Sequence, residues 1–277
     1  MPSEENKAST IVGDYCVKLP EDMRSVTNLM ERASKDQLDS LNALKALYAE
    51  LHRMGGSALC MGYPFLGESM RELSNVLAEK IASTEQANGR FYVNIAQQME
   101  SLARLASHIR PEQSQFLQTA QRRDSAAAEN ANVKPTAAKP EDFSTRRVAF
   151  ADDDSTIRAL MRNILSDLEL EAFEVYENGE KLLLKAQLLK PDLIITDWLM
   201  APVSGLDLVQ TVRSGKSGLP KETKIILLTS INTLDKVELA VKQGADHFLV
   251  KPFSVGGVAK AIQRVSKQTS PATASAA

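Results

Sequence analysis

The chain has 277 residues, 43% of them apolar and 25% charged, enough for two globular domains that each bury a core. A formal net charge of −2 gives no general pull toward nucleic acid or an anionic membrane. The two cysteines, Cys16 and Cys60, have no metal-ligating spacing and read as reduced thiols, which excludes a disulfide framework.

The opening MPSEENKAST is polar and acidic, unlike a signal or transit peptide, and no apolar run is long enough to span a bilayer. Residues 1–20 are therefore expected to form an N-terminal extension of a cytoplasmic protein. From 21 to 110 every periodic segment has helical spacing, with helices expected over about Glu21–Ser34, Gln37–Cys60, Pro64–Ser83 and Arg90–Ile109. Leu44, Leu47, Leu51, Met54 and Ala58 form one apolar stripe; Phe65, Met70, Leu73, Val76, Leu77 and Ile81 form the next. Val93, Ile95, Met99, Leu102 and Ile109 continue the pattern. Four helices with short joints predict an all-α antiparallel four-helix bundle. Within the second helix, LHRMGGSALC sets His52 three and four residues before Gly55 and Gly56, on a shared surface. Two readings of this stretch stand side by side. The glycines leave the imidazole clear for a partner to approach, as a nucleophilic histidine requires, or they let a neighbouring helix pack close and His52 is incidental.

Residues 111–144 are rich in Ala, Lys, Pro and Asn, with little to bury, and are expected to be a linker. Beyond it the pattern becomes βαβα. RVAFA, AFEVY, DLIITDW, KIILLT and HFLVK read as strands, with helices between and after them, up to residue 267. This predicts a doubly wound α/β domain over 145–267 with a five-stranded parallel sheet of flavodoxin-like type, followed by a polar, disordered tail over 268–277. Right-handed crossovers put the C-terminal strand ends on one edge. Asp152, Asp153 and Asp154 follow the first strand, Asp197 ends the third, Thr229 the fourth and Lys251 the fifth. Carboxylates brought that close call for a cation, and an all-oxygen set suits Mg²⁺. Asp197 is then a nucleophile for phosphoryl transfer, with Thr229 and Lys251 as donors to the oxyanion. Asp154 also reads as the N-cap of the next helix.

FADDDSTIRALMRNIL, PDLIITDWLMAPVSG, ILLTS and HFLVKPF resemble the signature segments of response-regulator receiver domains, over about Arg146 to Lys267. The resemblance implies that Asp152, Asp153, Asp197 and the Leu199 carbonyl hold Mg²⁺ and that Asp197 is the phosphoacceptor. It further makes Thr229 the switch hydroxyl, Phe248 the aromatic that responds to it, Lys251 the phosphoryl-binding lysine and Lys251-Pro252 a cis peptide. Leu199 and Ile231 are apolar where the family flanks the attacking water, which implies slow hydrolysis of the acyl phosphate. Proline stands at 202 rather than directly after Met200. Gly256-Gly257 soften the first turn of the last helix.

LHRMGGSALCMGYPFLGESMRELSNVL is in turn similar to histidine phosphotransfer (Hpt) domains, with His52, Met54, Gly56, Ser57 and Gly62 in register and Gly55 where the family often has lysine. Together the resemblances imply a non-enzymatic phosphorelay protein. Its receiver takes a phosphoryl group on Asp197 with Mg²⁺ bound, and His52 accepts or donates one. Its partners are a sensor histidine kinase and other receiver or Hpt proteins, with no nucleic acid and no membrane insertion. The alternative is an adaptor whose bundle is a non-phosphorylated docking or dimerisation module under receiver control. A hydrolase of the aspartyl-phosphate kind ranks behind both, because position 199 is Leu and not a second Asp.

Overall fold

In the computed structural model, residues 4–35, 40–83, 87–119, 143–229 and 240–267 are described. The chain divides into two compact units, Met1–Lys134 and Pro135–Ala277, so the division falls inside the expected linker.

The first unit is helical. Helix α1 (Glu4–Lys35) is followed by α2 (Ser40–Cys60), α3 (Pro64–Ala82) and α4 (Gly89–His108), a 3₁₀ turn at Pro111–Gln113 and a helical turn over 115–119. The expected extension over 1–20 is, from Glu4 on, the N-terminal half of α1. Val12, Tyr15, Leu19, Met23, Val26 and Met30 recur at steps of three and four and are all buried, and this packing carries the helix through Gly13 and Pro20. Phe65, Val76 and Val93, counted in the apolar stripes, are instead exposed, and Leu66 takes a buried place in α3.

Gly55 and Gly67 bring α2 and α3 together. A Cβ on Gly55 would lie 3.1 Å from the Gly67 carbonyl oxygen, and one on Gly67 would lie 2.9 Å from that of Gly55. The turn between these helices is sealed by the chain after α4. Ser114 Oγ donates to the Met61 carbonyl at 2.7 Å, and the Gln115 N–H donates to that of Gly62 at 3.0 Å. Gly62 has φ +83°, and a Cβ there would strike the backbone of Phe116. Residues 111–119, expected as linker, therefore belong to the packed helical unit. Residues 120–142 of that linker and the tail at 268–277 lie outside the described residues.

The second unit alternates strands and helices: β1 (Arg147–Ala151), α5 (Ser155–Asp167), β2 (Ala172–Tyr176), α6 (Gly179–Leu189), β3 (Leu193–Asp197), α7 (Gly205–Ser214), β4 (Lys224–Thr229), β5 (His247–Val250) and α8 (Val255–Lys267). All pairings are parallel, in the order β2-β1-β3-β4-β5. That is the flavodoxin-like order, with its switch point between β1 and β3. β3 is buried throughout, and β1 and β4 are buried beyond their first residues, as continuous apolar runs flanked by helices should be. Asp154 caps α5, accepting from the N–H groups of Thr156 at 2.7 Å and Ile157 at 3.3 Å. Gly205 opens α7 so close to the Asp197 carbonyl oxygen that any Cβ would overlap it, which fixes the chain just past the end of β3. No helix of the described residues is long and apolar enough to cross a membrane.

Candidate functional site

Because the strands are parallel, β1, β3, β4 and β5 deliver Asp152, Asp197, Thr229 and Lys251 to one edge of the sheet. Carboxylate oxygens of Asp152, Asp153 and Asp197 lie within 4.8 Å of one another, with Asp152 and Asp197 buried and Asp153 exposed. Lys251, also buried, reaches between them, its Nζ 2.8 Å from Asp197 Oδ1 and 3.0 Å from Asp152 Oδ2. The second oxygen of each acid meets backbone: Asp152 Oδ1 accepts from the Asp154 N–H at 2.8 Å, and Asp197 Oδ2 from the Leu199 N–H at 3.2 Å. Burial pushes the Asp152 carboxyl up from its ordinary range. The Lys251 charge opposes that rise, while Asp197 and Asp154 add to it. A lysine holding two buried acids leaves the three-acid cluster with net negative charge, and its oxygen donors suit a hard divalent cation such as Mg²⁺.

Thr229 is buried at the end of β4, and its carbonyl accepts from the Lys251 N–H at 2.8 Å. Phe248, in β5, is partly buried against the core and lies opposite Leu227 of β4. Lys251-Pro252 is cis, as the resemblance implied, and Ala201-Pro202 is cis as well. Leu199 is half-buried, and Ile231 lies outside the described residues. Sequence reasoning missed Arg158, whose Nη1 donates to the Asp152 backbone carbonyl at 2.8 Å. Its signal was a basic residue one turn into the helix that follows the acids.

A family model, response regulator receiver domain, matches residues 148–263. Chemotaxis protein CheY of Thermotoga maritima is 30% identical over 122 residues, 44% of this chain and 98% of that protein. The chain belongs to the response-regulator receiver family. Chemotaxis protein CheY1 of Helicobacter pylori is 38% identical to the receiver over 112 residues, 39% of this chain and 86% of that one. The solved structure of Vibrio cholerae CheY4 is 32% identical and covers 44% of this chain and 98% of its own, with a TM-score of 0.41. The family model falls on the second unit, so the receiver is a two-component signalling module and the helical unit stands on its own geometry.

His52 is far from clear of its surroundings. It is 7% exposed, and Tyr48, one turn earlier, lies with its ring centroid 5.9 Å away. From Leu51 to Cys60 every residue of α2 except Arg53 is buried. Of the two readings of the glycines, the close approach of α3 accounts for Gly55, because a side chain there would meet helix backbone.

Proposed function

We propose that the receiver takes a phosphoryl group onto Asp197 from a phosphohistidine. The observation that carries this reading is Lys251 bridging two buried carboxylates within a three-acid cluster at the strand ends. An Asp197 carboxylate oxygen attacks phosphorus, the P–N bond of the donor breaks and its imidazole leaves with the bonding pair. Asp152, Asp153, Asp197 and the Leu199 carbonyl are the groups that would hold Mg²⁺. When bound, Mg²⁺ neutralises charge between carboxylate and phosphoryl oxygens. Lys251 exchanges its carboxylate contact for a phosphoryl oxygen. Thr229 supplies the switch hydroxyl, and Phe248 follows it inward, reshaping the β4–β5 face. Partners in this reading are a sensor histidine kinase and other phosphotransfer proteins, met in the cytoplasm. The test is phosphoramidate, a small P–N donor, with Mg²⁺: hydroxylamine-sensitive label is expected on the wild type and absent from Asp197→Asn. Label that persists in Asp197→Asn overturns the assignment.

For the helical unit, two readings are carried forward. As an Hpt module, His52 passes phosphoryl groups to or from a receiver, a role supported by the LHRMGGS register. As an adaptor, the bundle is a non-phosphorylated docking or dimerisation module, and the burial of His52 together with the use of Gly55 in helix packing favours this. Incubation with a phosphorylated receiver, and separately with a labelled histidine kinase as the phosphohistidine donor, separates them. Acid-labile, base-stable label that disappears in His52→Gln establishes the Hpt role; label confined to Asp197 establishes the adaptor.

A further inference from the structure

The loop that carries the metal-facing acids is held from several sides. The Asp152 N–H donates to the Tyr176 carbonyl at 3.3 Å, and its carboxylate is tied to the Asp154 N–H and to Lys251. Arg158 adds a grip of a different kind. It is half-buried in the first turn of α5, and its guanidinium holds the Asp152 carbonyl oxygen, the acceptor of the peptide that joins Asp152 to Asp153. The contact is charge-assisted and comes from a rigid helix, so it restrains that peptide plane more firmly than a neutral loop contact would.

We propose that Arg158 is a positioning residue for the divalent cation: by fixing the Asp152–Asp153 peptide it keeps the exposed Asp153 carboxylate in place to complete the three-acid cluster. This rests on the reading of that cluster as a Mg²⁺ site. Two effects of opposite sign make it testable. The positive charge of Arg158 repels a divalent cation, so by charge alone its removal tightens binding. Its grip orders the loop in advance, so by positioning its removal weakens binding, because Asp153 must then be ordered when the ion arrives.

The full chain is titrated with MgCl₂ well below its melting transition, following the emission of Trp198, the one tryptophan and the neighbour of Asp197. Calorimetry provides a second readout. Arg158→Met, which keeps the apolar stem and removes the donors, is expected to weaken Mg²⁺ binding about tenfold, the lower end of what groups behind a metal ligand cost. Arg158→Lys, whose ammonium can still reach a carbonyl, falls between this variant and wild type. Unchanged or tighter binding in Arg158→Met overturns the proposal. Asp152→Asn is the control for the site itself. If the wild type shows no Mg²⁺ response, or if that response survives Asp152→Asn, the metal-site reading fails. A response lost in Asp152→Asn but unaltered in Arg158→Met removes only the role of Arg158.

Discussion

Asp152 concentrates the electrostatics of the receiver in one side chain. It is fully buried, and burial raises its pKa above the ordinary 3.8. Its folded pKa therefore exceeds its unfolded one, so protonation favours the metal-free folded state. The stabilisation is complete below about 3.8 and is lost as pH rises through the folded value. At pH 8 the ionised carboxylate is a burden, and each pKa unit is worth about 1.4 kcal/mol. Asp152→Asn is accordingly expected to stabilise the metal-free protein at about pH 8 by about 1 kcal/mol or more, with the gain gone by about pH 4. Urea melts at the two pH values check this, and a variant less stable than wild type at pH 8 contradicts it. Leu199 acts at the same scale. Its half-buried isobutyl group follows the acceptor by two residues, where a polar side chain could order water. Leu199→Asn should shorten the lifetime of the phosphorylated receiver severalfold, and an unchanged decay rate would remove Leu199 from the account of hydrolysis.

At the scale of elements, the parallel sheet was legible because its signals are redundant. Short β-branched runs alternate with helical stripes, and acids and lysine recur at strand ends, so each element confirms its neighbour's direction. The helical unit was less so. The buried series Val12, Tyr15, Leu19, Met23 in α1 lay open to the same periodicity argument, but the polar, acidic opening made residues 1–20 read as an extension. The burial of His52 was not readable, because helical spacing assigns one face to the core while the end of α2 is covered on nearly all sides. Glycine carries opposite meanings in the two cases, which mutation exposes. Gly67→Ala pushes a Cβ to 2.6 Å from Leu59 Cγ and against α2 backbone, and should cost about 1–3 kcal/mol. Gly13→Ala adds a Cβ with no heavy atom within 4 Å, and should stabilise α1 by about 0.5–1 kcal/mol. Chemical denaturation followed by helical circular dichroism measures both, and equal shifts of one sign would refute the distinction.

On the scale of the whole molecule, two units with separate cores predict separable folding. Fragments 1–134 and 135–277 should each melt cooperatively, and the second should bind Mg²⁺ as tightly as the full chain. A fragment that melts without cooperativity, or a loss of affinity on separation, would show that the units depend on each other. The chain leaves the helical unit through residues 114–119, which are hydrogen-bonded to the α2–α3 turn at Met61 and Gly62. The consequence is mechanical. Tension on the connecting chain loads those two hydrogen bonds first, and the turn they hold begins nine residues after His52. A tug from the receiver side would thus be felt at the end of α2 before it disturbed α1 or α4.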